Sequence, residues 1–154
     1  SGDYNVAVGY NSGTAINSFW KQIYLKVTGG TFTQIDNVKF YTDGGGFGTG
    51  ITTFVGDQLP VKNSGANTGY VVATGTTGTS GNAMVASHAG ISAQTDAFSF
   101  TSGSPLSITI SEAGGLMNAT NETTNYLVTQ MNVASTAGPG NLADETWTYQ
   151  YDEI

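Results

Sequence analysis

Few residues in this chain are equipped for chemistry, and they are thinly spread. The one histidine, His88, sits in Val85-Ala86-Ser87-His88-Ala89-Gly90. Imidazole is the natural acid–base group near neutral pH. A Ser-His-Asp triad also needs a nucleophile on a tight elbow, and no Gly-x-Ser-x-Gly surrounds a suitable serine. One histidine does not make a multi-histidine zinc site, and without cysteine there is neither thiolate zinc chemistry nor a disulfide framework. The adjacent carboxylates Asp144-Glu145 and Asp152-Glu153 carry no sign of the facing pair that glycoside hydrolysis requires. Calcium, which takes six to eight oxygens, is better suited to Asp36-Asn37, Asp43, Asp57 and Asp96. Asp36-Asn37 and Asp43 are expected to flank a strand, and Asp57 and Asp96 to lie in loops. Asp43-Gly44-Gly45-Gly46 lacks EF-hand spacing, and turn formation is the favoured role for these aspartates. The expectation is therefore no catalytic residue, no cofactor and no metal, with calcium as the remaining candidate.

Charge narrows the partners. The 154 residues include four lysines (Lys21, Lys26, Lys39, Lys62), no arginine and a net charge of −7. Phosphate neutralisation and base readout depend on clustered lysine and arginine, so nucleic-acid binding is not expected. An anionic lipid surface repels the chain for the same reason, and no apolar run approaches the ~18 residues of a membrane span. Charged residues make up 10% of the chain, against about 25% in an average domain. Thr, Ser, Asn and Gly carry the polarity instead, as in many extracellular and particle-surface β proteins.

The elements that position these residues read as strands. Apolar residues alternate with period two between Gly-rich turns, the pattern of an all-β sandwich or barrel. Strands are expected near residues 4–10, 22–27, 38–40, 51–55, 70–74, 97–101, 106–110, 126–133 and 146–151. The fold expected is a two-layer antiparallel β-sandwich, immunoglobulin-like or jelly-roll-like, with little helix, as a single domain over residues 1–154. Ile23, Leu25, Val27, Val38, Phe40, Leu106, Ile108, Leu127 and Val133 should form its core. On strand 126–133, Leu127, Thr129, Met131 and Val133 should share a face. On the last strand, Trp147, Tyr149 and Tyr151 should share a face.

Some segments suit contact rather than core. Residues 1–18 read as an extended N-terminal arm or exchanged strand, in which Tyr4, Val6, Val8 and Tyr10 line one face. Phe19 and Trp20 are neighbours, so in a strand they point to opposite sides and one needs a cover. Thr77 and Thr79 lie in the low-complexity run Gly75–Gly81, whose ordering is entropically costly unless something packs on it. Tyr4, Val6, Val8, Tyr10, Trp20, Thr77 and Thr79 are thus the expected assembly interface. Asn118-Ala119-Thr120 and Asn121-Glu122-Thr123 are sequons, which makes Asn118 and Asn121 glycosylation candidates in a secreted protein. A plain polar loop is the favoured reading. Phe19-Trp20 and Trp147/Tyr149/Tyr151 would also suit a sugar-stacking platform, a sandwich core or a subunit anchor.

The last third of the chain resembles a known architecture. Tyr126-Leu-Val-Thr-Gln-Met-Asn-Val133, then Ser135-Thr-Ala-Gly-Pro-Gly140, then Glu145-Thr-Trp-Thr-Tyr-Gln-Tyr151 is similar to the closing hairpin of immunoglobulin-like sandwich domains. Such domains are common in the head decoration proteins of phages and archaeal viruses and in secreted filament subunits. The resemblance implies a β-sandwich with a structural role and supplies no catalytic residues. It is architectural, because the Cys…Trp…Cys core of antibody-type domains is missing.

The function expected is a non-enzymatic structural protein of a surface assembly, in first place a capsid decoration or cement protein of a tailed phage or archaeal virus. The alternatives are a subunit of a secreted filament or cell-surface layer joined by strand exchange, and a carbohydrate-binding module. Expected partners are further copies of the chain, as homo-oligomer or polymer, and a capsid protein, at a virion surface or outside the cell. No secretory leader is visible ahead of the first strand, which favours the virion. Ser1 is compatible with removal of an initiator Met or with a cleaved precursor.

Overall fold

The computed structural model describes residues 16–18, 21–58 and 95–154. These build two antiparallel sheets packed face to face. The strands are β1 (Ile16–Asn17), β2 (Lys21–Ile23), β3 (Ile35–Thr42), β4 (Ile51–Gln58), β5 (Thr95–Asp96), β6 (Leu106–Ser107), β7 (Tyr126–Val133) and β8 (Trp147–Glu153). The first sheet runs β1-β7-β4-β5, with β2 also on β7; the second runs β6-β3-β8. The all-β sandwich expected from the alternating pattern is the observed fold.

Its core lies between β3 on one side and β4 with β7 on the other. Val38 and Phe40 from β3 meet Val55 from β4 and Leu127 from β7, and Val27, Ala97, Ile108, Ile110 and Met117 close the cluster. The strict alternation of β3, with Val38, Phe40 and Thr42 buried, shows which face looks inward. Phe40 is fully buried, with Trp147 and Tyr149 of β8 edge-on at 5.5 and 5.7 Å between ring centroids. Each such pair adds roughly 0.5–1.5 kcal/mol beyond simple burial. Tyr151, the third member of that face, extends past the core and is exposed.

Six of the nine expected core residues are buried: Val27, Val38, Phe40, Ile108, Leu127 and Val133. Ile23, Leu25 and Leu106 are half-buried. Ile23 and Leu106 belong to strands of three and two residues at sheet edges, where one flank is open. Met117 is a core residue that no periodicity announces. It exchanges two backbone hydrogen bonds with Ile35, at 2.8 and 2.9 Å, and so is carried in beside β3.

Other details of the sequence reading need correction. Burial on β7 is not confined to the face of Leu127 and Val133, a point the alternating pattern left open. Val128 and Gln130 are as buried as Leu127, so over residues 127–130 both faces of this central strand are closed to solvent. Residues 97–101 do not form a strand; Ala97–Ser99 is a 3₁₀ turn. The Asp96 carboxylate accepts from Phe98 N at 3.1 Å, and Ser99 Oγ donates to Asp96 O at 2.6 Å. That local bonding competes successfully with the sheet ladder. Within the segment 1–18, residues 16–18 run along the edge of β7: Ser18 N donates to Met131 O at 2.8 Å and Met131 N to Ser18 Oγ at 2.9 Å. The strand expected near 4–10, the strand near 70–74 and the Gly75–Gly81 run lie outside the described residues.

Two backbone positions fix the strand ends. Asn37 stands at φ 49° where the β3–β8 register shifts, and its Nδ2 donates to Asp152 Oδ2 at 2.8 Å. Asparagine tolerates this left-handed conformation better than most residues, so the bulge sits where the sequence allows it. Gly50, at φ 80°, opens β4 and accepts from Ala134 N at 2.7 Å. A Cβ there would lie 2.5 Å from Ala137 N and 2.8 Å from Thr136 Oγ1. Gly50→Ala combines that clash with left-handed strain of roughly 1–2 kcal/mol. Denaturant unfolding should show a total loss of about 2–4 kcal/mol.

Candidate functional site

The chemically most unusual group is Asp57, which sits on β4 rather than in a loop as its sequence context suggested. The run Ile51, Thr53, Val55, Asp57 occupies one face of β4, and Val55 is part of the core. Asp57 is therefore directed inward, opposite Leu127, and is 5% exposed. A carboxylate placed there needs donors. Thr109 supplies two: its backbone N at 3.1 Å and its hydroxyl in a shorter bond, both to Oδ2. Burial pushes the Asp57 carboxyl above the ordinary carboxylate range, and the Thr109 donors oppose that shift in part.

Thr109 belongs to a segment that serves both sheets. β6 pairs with β3, and Ile108 N continues the contact to Val38 O at 2.8 Å. One residue on, Thr109 reaches Asp57 of the first sheet, and its carbonyl accepts from Asn125 N at 2.8 Å. Asn125 is fully buried, and its Oδ1 accepts from Ser111 Oγ at 2.8 Å. Thr124 beside it accepts from Leu25 N at 3.1 Å and donates to Asn125 O at 2.9 Å. The result is a polar seam of Asp57, Thr109, Ser111, Thr124 and Asn125 at the rim of the apolar core.

The other candidate carboxylates are not gathered into one place. Asp36 accepts from Gln34 Nε2 at 2.7 Å, Asp43 from Gly45 N at 3.0 Å, and Asp96 caps its turn. Glu145 accepts from Gly46 N at 3.3 Å, bringing it near Asp43 around the glycine turn. Glu122 Oε2 accepts from Asn118 N and Ala119 N, at 2.5 and 2.9 Å. Among the described residues no three acidic or histidine side chains are placed to share a metal ion.

The remaining candidates divide. Asn118 and Thr120 are exposed in the turn that Glu122 closes. Asn121 is exposed at φ 74°, but Thr123 of its sequon is buried. Trp147 and Tyr149 pack against the core rather than forming a platform. Tyr24 stands edge-on to Tyr126 at 5.3 Å, an aromatic pair that sequence reasoning did not single out. Tyr4, Val6, Val8, Tyr10, Trp20, Thr77, Thr79 and His88 lie outside the described residues. Comparison with protein-family models, curated proteins and solved structures returns no match for this chain.

The seam has a measurable signature. Because the folded carboxyl of Asp57 holds its proton to higher pH than the unfolded one, its contribution to stability is complete below the unfolded value near 3.8. It is lost as pH rises from there through the folded value. Asp57→Asn should remove that component from the pH dependence of unfolding free energy. Thr109→Val, which deletes the hydroxyl donor, should cost about 1–3 kcal/mol at neutral pH. Urea titrations from acid to neutral pH read both.

Proposed function

We propose that the chain is a non-enzymatic structural module of a surface assembly, in first place a capsid decoration or cement protein of a tailed phage or archaeal virus. One observation carries this reading: the carboxylates of the sandwich hold backbone and neighbouring side chains. Asp57 clamps Thr109, Asp43 and Glu145 brace the glycine turn, Asp96 and Glu122 close turns, and Asp152 secures the bulge. A chain with so few charged groups that commits six of its 11 carboxylates to its own frame is suited to rigidity. Its exterior polarity then falls to hydroxyls and amides, which stay hydrated at a particle surface.

The second reading, a filament or surface-layer subunit joined by extended segments, is favoured by β8. Among the described residues this seven-residue strand ends the second sheet, and Gln150, Tyr151, Asp152 and Glu153 along it are exposed. An outer strand of that kind is a template for pairing with another chain. The Tyr24–Tyr126 pair is the corresponding support for a carbohydrate-binding module.

Sedimentation and electron microscopy of the purified chain should show concentration-dependent oligomers or polymers. The reading is overturned if the protein turns over an ester, glycoside or phosphate substrate and loses that activity in folded His88→Ala or Asp57→Asn variants. Deleting residues 1–10 distinguishes the two assembly readings. Strand exchange predicts lost association with an unchanged melting temperature; a collapsed monomer returns that strand to its own sandwich.

A further inference from the structure

Three large apolar side chains are exposed among the described residues: Tyr24 at 45%, Tyr151 at 47% and Ile154 at 67%. They sit at two places in the fold. Tyr24 follows β2, on the flank of the first sheet, and Lys26 two residues on is exposed beside it. This stretch runs along residues 121–127: Ile23 lies opposite Leu127, Val27 N donates to Glu122 O and Lys26 bridges to Thr123. Its direction is thus fixed by backbone bonds, and Tyr126 supports the Tyr24 ring edge-on. Tyr151 lies near the end of β8, the outer strand of the second sheet among the described residues, and Ile154 follows that strand, with exposed Asp152 and Glu153 between them. Gln34 and Ile154 exchange backbone hydrogen bonds of 3.0 and 3.1 Å, so this end is also held in place.

The two patches differ in their exposed charge: Lys26 on one, Asp152 and Glu153 on the other. Each sets an exposed tyrosine beside exposed charge on a braced extended segment. One carries a lysine, the other two carboxylates. In a chain with four basic residues and a net charge of −7, a contact between copies must use the scarce cations or suffer like-charge repulsion. A β8-to-β8 contact would set Asp152 and Glu153 of both copies near one another, which opposes it.

We infer that the Tyr151–Ile154 end of β8 on one copy docks against the Tyr24–Lys26 flank of a second copy. Tyr151 and Tyr24 supply the apolar centre, and Lys26 meets Glu153, which shares the face of Tyr151 on β8. The contact deepens the self-association reading above and rests on it. It is a small contact and weak for an isolated pair, as suits a subunit whose contacts are multiplied across a lattice or filament. It weakens with salt, because exposed charges are screened over about 10 Å at 0.1 M ionic strength.

Charge exchange tests it on the full chain. At low ionic strength the wild-type weight-average mass, followed by analytical ultracentrifugation, should rise with concentration and fall back on adding salt. Lys26→Glu and Glu153→Lys should each weaken association at least tenfold, with melting temperatures close to wild type. Glu153→Lys lowers the overall negative charge, so a net-charge effect alone would strengthen association instead. The Lys26→Glu/Glu153→Lys double variant should regain the wild-type behaviour, as should an equimolar mixture of the two single variants. Tyr151→Ser, uncharged and folded, should weaken association without altering its salt dependence. Association that is unchanged in all variants overturns the proposed contact and leaves self-association standing. A wild-type chain that stays monomeric at every concentration and ionic strength overturns both.

Discussion

A buried carboxylate holding a threonine is the constraint on which the rest of the sandwich turns. Apolar burial between the sheets is strong but non-directional; it brings two faces together without fixing how one lies on the other. Asp57 adds direction. Its Oδ2 accepts both donors of Thr109, while the residue before Thr109 is bonded to Val38 in the opposite sheet. A slip of either sheet along its strands would leave a desolvated carboxylate without those donors, at a cost of several kcal/mol. Asn125, bonded through its backbone to Thr109 O and through its side chain to Ser111, extends the restraint to the start of β7.

That restraint explains how the chain uses its charges. Carboxylates are 11 of its 154 residues. Asp43, Glu145, Asp96 and Glu122 brace turns, Asp152 a bulge and Asp57 the seam. Acid–base work at neutral pH needs a group whose proton is free to move toward a substrate. Asp57 does have its carboxyl raised by burial, which is how catalytic acids are often prepared. Its bonding is directed at Thr109, however, and Thr109 links the two sheets. Perturbation of this carboxyl is the consequence of building a polar seam into a core rim.

How much of this was legible beforehand follows from the length scale of each feature. Alternation disclosed all eight residues of β7, but β3 only at Val38 and Phe40, and with them most of the core. The same alternation is silent on the burial of Val128 and Gln130. Burial of the second face of β7 depends on distant segments, not on the strand's own sequence. Alternation misled at 97–101, where one aspartate at the N-cap outweighed four apolar or small neighbours. The seam was half-legible. Counting by twos from Ile51 through Thr53 and Val55 lands on Asp57, which marks it as an inward carboxylate. Nothing local to Thr109 or Asn125 names them as its neighbours, since they are 52 and 68 residues further along the chain. The Tyr24–Tyr126 pairing was hidden for the same reason. Each tyrosine is unremarkable alone, and their juxtaposition exists only once β2 has been laid against β7.

The outer strands follow from the same economy. A sandwich always leaves strand edges, and an edge invites pairing with any extended chain. The edge at β6 is kept short, two residues, after which the chain turns away to serve the seam. β8 has no such limit, because its aromatic residues Trp147 and Tyr149 must run the length of Phe40 and its neighbours to complete the core. Its far end therefore extends beyond the buried region, and there the sequence changes from aromatic to acidic, Tyr151-Asp152-Glu153. Carboxylates at that position discourage identical edges from meeting while leaving the edge attractive to a cationic one. With so few lysines in the chain, that choice limits which surface of another copy can approach. In the contact proposed above, the sandwich between the two unlike patches would set their separation, which a repeating assembly requires to be the same in every copy.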